Sequence, residues 1–225
     1  ALSPSDFLLY PDTCYTAEFL KAYDEEEMVV FDTETTGLDV FTDDIIEIAA
    51  MKIKGGEIVG EPLDLYIKTD KPILPKLGDK DNPMYTIYNE KLAAEELITP
   101  QEALQRFLAY IGTRPILGHN ANYDYNIIDN CLQRYCNDTL KAHKNPCFDS
   151  LKLIRLLSPS LHSYKLESLL ETFQLTGKNS HQAIDDVGAT VSLVRLCAEK
   201  AREKRPQQQS FLQHPKVKPF INTLR

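Results

Sequence analysis

At 225 residues with 43% hydrophobic content, the chain is long enough for one substantial domain and leaves little for a second. A formal net charge of −8 excludes the tight, backbone-driven grip on a duplex that an excess of Lys and Arg provides. No stretch is long and apolar enough to span a membrane and no signal peptide is apparent. Cys14, Cys131, Cys136, Cys147 and Cys197 are odd in number and lack a C-x2-C spacing, which points to thiols in a reducing cytoplasm.

Residues 1–26 read as an N-terminal extension ending in the acidic run Asp24–Glu27, a solvated face or helix end. Met28-Val29-Val30-Phe31 is β-branched and aromatic and predicts a buried strand entering Asp32. Residues two apart on a strand share a face, so Asp32 and Glu34 stand side by side and repel unless a cation sits between them. Thr35-Thr36-Gly37 ends the strand in a turn in which Gly37 is expected to take a positive φ. Ile45 to Lys54 and Ile58 to Lys68 alternate about Gly55-Gly56 and predict a β-hairpin. After the long segment from Asp70 to Leu97, Ala103 to Ile111 reads as a helix.

Pro115 to Gly118 predicts a second buried strand, followed at His119-Asn120 by a helix whose apolar positions start at Tyr123. Asn122 is its expected N-cap, with Asp124 in the first turn. Cys147-Phe148-Asp149 reads as a short strand, Leu151 to Leu157 and Leu166 to Phe173 as helices. Ile184, Val187, Val191 and Val194 predict a long helix to about Ala201, with Asp186 near its start. His181, five residues before Asp186, would be splayed away from it on a helix and is expected in the preceding loop, where an imidazole suits a general base. Residues 204–225, rich in Pro and Gln, read as a tail or linker. The hairpin and the helical crossovers imply an α/β fold, a five-stranded mixed sheet of three antiparallel and two parallel strands flanked by helices.

FDTETTGL, GHNANYD and SHQAIDD together resemble the DEDDh (DnaQ-like) family of 3′-to-5′ exonucleases, which includes polymerase proofreading subunits. The likeness runs from about Met28 to Cys197, so 27–203 is the expected exonuclease domain. Gln182 stands where the tyrosine subclass carries its Tyr, which assigns the chain to the histidine subclass. Tyr123 replaces the usual Phe of the second motif, and no Ile-x-Gly-Ile-like turn is visible between Asp70 and Leu97.

The resemblance implies a ribonuclease H-like fold and a two-metal mechanism with Mg²⁺ or Mn²⁺, two ions per site. It implies that Asp32, Glu34, Asp124 and Asp186 hold the ions and that His181 takes the proton from the attacking water. Thr35, Thr36, Gly37, Leu38, Asn120 and Tyr123 are the implied substrate-binding residues. The expected substrate is a single-stranded 3′ end, DNA before RNA, in replication or repair, with a helicase or polymerase partner or a longer parent chain. An RNA-trimming exoribonuclease and a non-catalytic binding module are the alternatives.

Overall fold

The apolar run opening at Met28 becomes the middle strand of a five-stranded sheet in the computed structural model, which describes residues 12–73 and 83–212. Strands β1 (Met28–Thr35), β2 (Ile45–Lys54), β3 (Glu57–Tyr66), β4 (Ile116–Gly118) and β5 (Cys147–Asp149) lie in the order β3-β2-β1-β4-β5. β1 pairs antiparallel with β2 from Met28↔Ile53 to Glu34↔Glu47, and β2 antiparallel with β3. β4 joins β1 in parallel at Val29↔Ile116, and β5 joins β4 in parallel at Cys147. Gly55 at φ 56° and Gly56 at φ 87° make the tight turn between β2 and β3, both in the region a type I′ hairpin requires.

Helices are α1 (Asp12–Glu25), α2 (Pro83–Ala93), α3 (Pro100–Ile111), α4 (Asn122–Cys136), α5 (Ser150–Leu157), α6 (Leu166–Thr172) and α7 (Ala183–Leu212). They cover both faces of the sheet, which explains the near-continuous apolar reading of β1. Met28, Val30, Ala49 and Phe148 pack with α1, α5, α6 and the Val187, Val191 and Val194 stripe of α7. Val29, Phe31, Ile48 and Ile116 turn to the other face against Phe107 of α3 and Ile127 and Ile128 of α4. The alternation therefore sends Asp32 and Glu34 toward α7 and Thr33 and Thr35 toward α4.

Two expectations, the end of the last helix and the backbone at Gly37, are corrected, and two segments for which no element was expected contain helices. The stretch read as an extension contains α1, whose Tyr15, Phe19 and Tyr23 recur every fourth residue and are buried against the sheet. The segment from Asp70 to Leu97 contains α2, which buries Met84 and Tyr88 against Ile46 and Tyr66; positions 74–82 of that segment lie outside the described residues. The last helix runs to Leu212, so the residues read as a tail begin inside it, and positions 213–225 are likewise outside the described residues. Gly37 is not in the positive-φ region. Its need is space: a Cβ there would stand 1.6 Å from Asp43 Oδ2.

No helix among the described residues is long and apolar enough to cross a membrane.

Candidate active site

Asp32, Glu34 and Asp186 offer carboxylate oxygens that all lie within 4.8 Å of one another. The first two come from the α7-facing side of β1 and the third from the first turn of α7, which that face carries. Asp124, in the first turn of α4, is buried beside them and accepts a hydrogen bond from the Thr33 hydroxyl at 2.5 Å. Burial pushes Asp32 well above the usual carboxylate range, and the charges of Asp124, Glu34 and Asp186 push it further. Burial raises Asp124 to about 7 against the pull of the Thr33 hydrogen bond. Asp186 is raised to about 6 by burial, opposed by nearby His181 and by the Ser180 amide, which donates to it at 3.1 Å.

No ion pair among the described residues reaches Asp32, Asp124 or Asp186. Carboxyl groups so placed either keep protons or share a cation. An all-oxygen donor set suits a hard divalent ion, so the residues fit a metal site.

The structure also shows what holds these groups. Glu47, fully buried opposite Glu34, accepts the Ala183 amide at 3.0 Å and so ties the start of α7 to β2. Burial and then the Asp64 charge push Glu47 up to about 9. The expected cap at Asn122 is corrected: Ala121 is the N-cap, and its own side chain makes no capping bond. Instead the Asp149 carboxylate accepts the Asn120 and Ala121 amides at 2.9 and 3.0 Å, while its own amide donates to the Tyr15 hydroxyl at 2.8 Å. The site reading did not include Glu47 or Asp149. A single acidic residue within the apolar run Ile45–Met51 is the sequence signal for Glu47; none marks Asp149.

Thr36 is not open at its backbone, because its amide donates to the Asp44 carbonyl at 2.8 Å. Its hydroxyl donates to Asp43 at 2.9 Å, in the carboxylate that fills the space beside Gly37. Tyr123 reaches across from α4 and donates its hydroxyl to the Gly37 carbonyl, with Thr35 Oγ1 3.0 Å away. Leu38, 83% exposed, and Phe41 stand out from this braced turn. His181 lies in the loop before α7, at φ 58°, with its side chain exposed. His181, Asn120, Asp32 and Asp186 line one groove of about 730 Å³.

The model of the exonuclease family matches residues 29–194. The chain belongs to that family, in its DEDDh (DnaQ-like) branch. This exonuclease is 31% identical over 180 residues, 80% of its length, to the DNA polymerase III PolC-type of Clostridium perfringens. Over 171 residues, 76% of its length, it is 34% identical to the PolC-type polymerase of Thermotoga maritima. In both cases the match spans 12% of the polymerase. E. coli Exonuclease I in complex with a dT13 oligonucleotide shares its fold, with a TM-score of 0.65 at 24% identity over 87% of this chain and 45% of that one.

Among the residues anticipated for the exonuclease site, the structure gathers Asp32, Glu34 and Asp186, with Asp124 adjoining and His181 on the same groove. Thr35, Gly37 and Tyr123 form a hydrogen-bonded group at the end of β1, and Leu38 projects from it. Asn120 belongs to the groove rather than to that group.

Proposed function

We propose that this exonuclease hydrolyses single-stranded DNA from the 3′ end and releases nucleoside 5′-monophosphates. The convergence of Asp32, Glu34 and Asp186 beside an exposed, loop-borne His181 carries the reading. Asp32, Glu34, Asp124 and Asp186 would hold two Mg²⁺ or Mn²⁺ ions. Such ions supply activation of the attacking water and stabilisation of the departing oxygen.

The remaining work falls to the chain's own side chains. His181 accepts the proton that water loses as its oxygen bonds to phosphorus, and its loop position lets it meet the water over a bound strand. The bond to the neighbouring nucleotide's 3′ oxygen breaks, and that oxygen leaves as the new 3′ end. Glu34 accepts a hydrogen bond from the terminal 3′ hydroxyl, which limits attack to ends. Leu38 lies against the terminal base, with its turn held by Tyr123 and Asp43. The PolC-type relatives are DNA polymerases, and the Exonuclease I neighbour is described with an oligonucleotide of dT, which favours DNA over RNA. Their greater length supports a longer polymerase-like parent chain or a polymerase or helicase partner. The domain is taken as residues 27–203, with α1 packed onto it.

The test is product analysis on 5′-labelled single-stranded DNA and RNA of one sequence, with Mg²⁺, Mn²⁺ or EDTA. Wild type is expected to give a metal-dependent ladder from the 3′ end of DNA, and Asp32→Ala to give none at any metal concentration. A ladder stronger on RNA would make it an exoribonuclease. No cleavage of either polymer would leave a binding module.

A further inference from the structure

We propose that Arg155, His162 and Lys165 form a binding site for the backbone phosphates of the nucleotides that lead into the site of cleavage. The proposal rests on the exonuclease reading above and extends it along the strand. One groove of about 730 Å³ holds Asp32, Asp186 and His181 and also these three residues, so a chain seated on the carboxylates has an open path along them.

Charge gives the wall its chemistry. The protein carries 33 acidic against 25 basic residues, and its reaction centre is itself acidic, so a polyanion needs cations from elsewhere. Among the described residues Arg106, Arg114, Arg134 and Arg202 each face a carboxylate. Arg155 and Lys165 do not, and both are exposed. Their charge is available to a ligand. His162, also exposed, offers a ring N–H in either protonation state.

The wall is also built in advance. The Arg155 guanidinium lies over the Tyr164 ring, 5.4 Å from its centre. The Tyr164 hydroxyl donates to the Ser158 carbonyl at 2.9 Å and accepts the Leu161 amide at 3.2 Å, which cinches the loop between α5 and α6. His119, whose burial lowers its pKa and keeps the ring neutral at pH 7, donates from Nε2 to the Tyr164 carbonyl at 3.1 Å. Its Nδ1 accepts from Ser150 Oγ at 2.9 Å, so the end of β4 anchors the loop.

Position sets the direction. The Gly37–Leu38 turn is tied to Asp43 and Asp44, on the β2 side of β1. Arg155, His162 and Lys165 follow β5, on the opposite side of the sheet order. A strand whose last base lies against Leu38 therefore runs over the carboxylates and onto this wall, where cations track its phosphates.

The experiment measures fluorescein-labelled dT12 and dT2 binding by anisotropy, with Mg²⁺, in a His181→Ala parent that keeps the carboxylates but turns over slowly. Adding Arg155→Ser and Lys165→Ser is expected to weaken dT12 roughly tenfold at about 0.1 M salt, and dT2 much less. Two lost phosphate contacts should reduce the slope of log affinity against log salt by about 1.4. Lys141→Ser with Lys144→Ser, away from the groove, should leave dT12 affinity as it was. Parent-like affinity and slope in the Arg155/Lys165 double variant would overturn the proposal, and so would an equal loss for dT2 and dT12. If the parent binds no dT12 at all, the exonuclease reading falls and the phosphate wall with it.

Discussion

Two acidic groups at neighbouring strands behave in opposite ways. Asp44, just before β2, receives the Arg134 guanidinium at 3.1 Å, the Tyr135 hydroxyl at 2.9 Å and the Thr69 hydroxyl at 2.7 Å. Asp32, on β1, is surrounded by other acids: Asp124, Glu34, Asp186 and Glu47 all raise its pKa. A carboxylate that the fold has already neutralised holds the fold together, as Asp44 joins α4 to the turn before β2. One that the fold leaves facing its own kind must take a proton or a cation from outside the chain.

The contrast is sharpest in activity. His181→Ala should cut turnover by about 10² to 10⁴ while metal affinity stays within a few-fold, because a base has been lost and no ligand. Single-turnover cleavage together with Mn²⁺ titration checks it, and a large fall in metal affinity would make His181 a ligand instead. Asp44→Ala should act on the other side of the comparison, costing about 3 kcal/mol by removing the only carboxylate paired with Arg134 among the described residues and the acceptor of the Tyr135 and Thr69 hydroxyls. Urea melts measure this; a loss under about 1 kcal/mol would mean that Asp44 carries little of the fold.

Acidity separates the two groups next. With Asp124 raised to about 7 and Asp186 to about 6, the folded chain keeps protons that the unfolded chain releases near 3.8. The unfolded state then binds fewer protons, so stability in EDTA should fall as pH rises from about 4 to about 7. Saturating Mg²⁺ should flatten that slope, since an ion replaces the protons. Melts at pH 5 and 7.5 with and without metal decide it, and a metal-independent slope would detach the cluster from ion binding. The smallest effect belongs to Tyr123→Phe, which loses the hydroxyl bond to the Gly37 carbonyl and should cost about 1 kcal/mol. A thermal melt matching wild type would show that Thr35, which donates to the same carbonyl, suffices.

Much of this was legible in the residues. The alternation of β2 about Gly55-Gly56 announces its hairpin, and the spacing of Asp32 and Glu34 sets them on one face whatever the rest of the chain does. His181 could be taken off the helix by counting residues from Asp186. What stayed hidden depends on contacts between distant parts. Tyr15, Phe19 and Tyr23 repeat at helical spacing, but only burial against Phe148 and α7 distinguishes α1 from a surface extension. Asp149 acts on amides 28 and 29 positions away. Gly37 looked like a backbone requirement and is a packing one, set by the Asp43 side chain.

The latch from Tyr15 through Asp149 to Asn120 and Ala121 bears on where the working unit begins. The span that matches the exonuclease family starts at residue 29, downstream of all of α1. A chain cut at that boundary would keep every carboxylate of the site. It would also open the seat of Phe19 to water and strip the Asp149 amide of its acceptor, loosening from behind the corner that leads into the first turn of α4, where Asp124 sits.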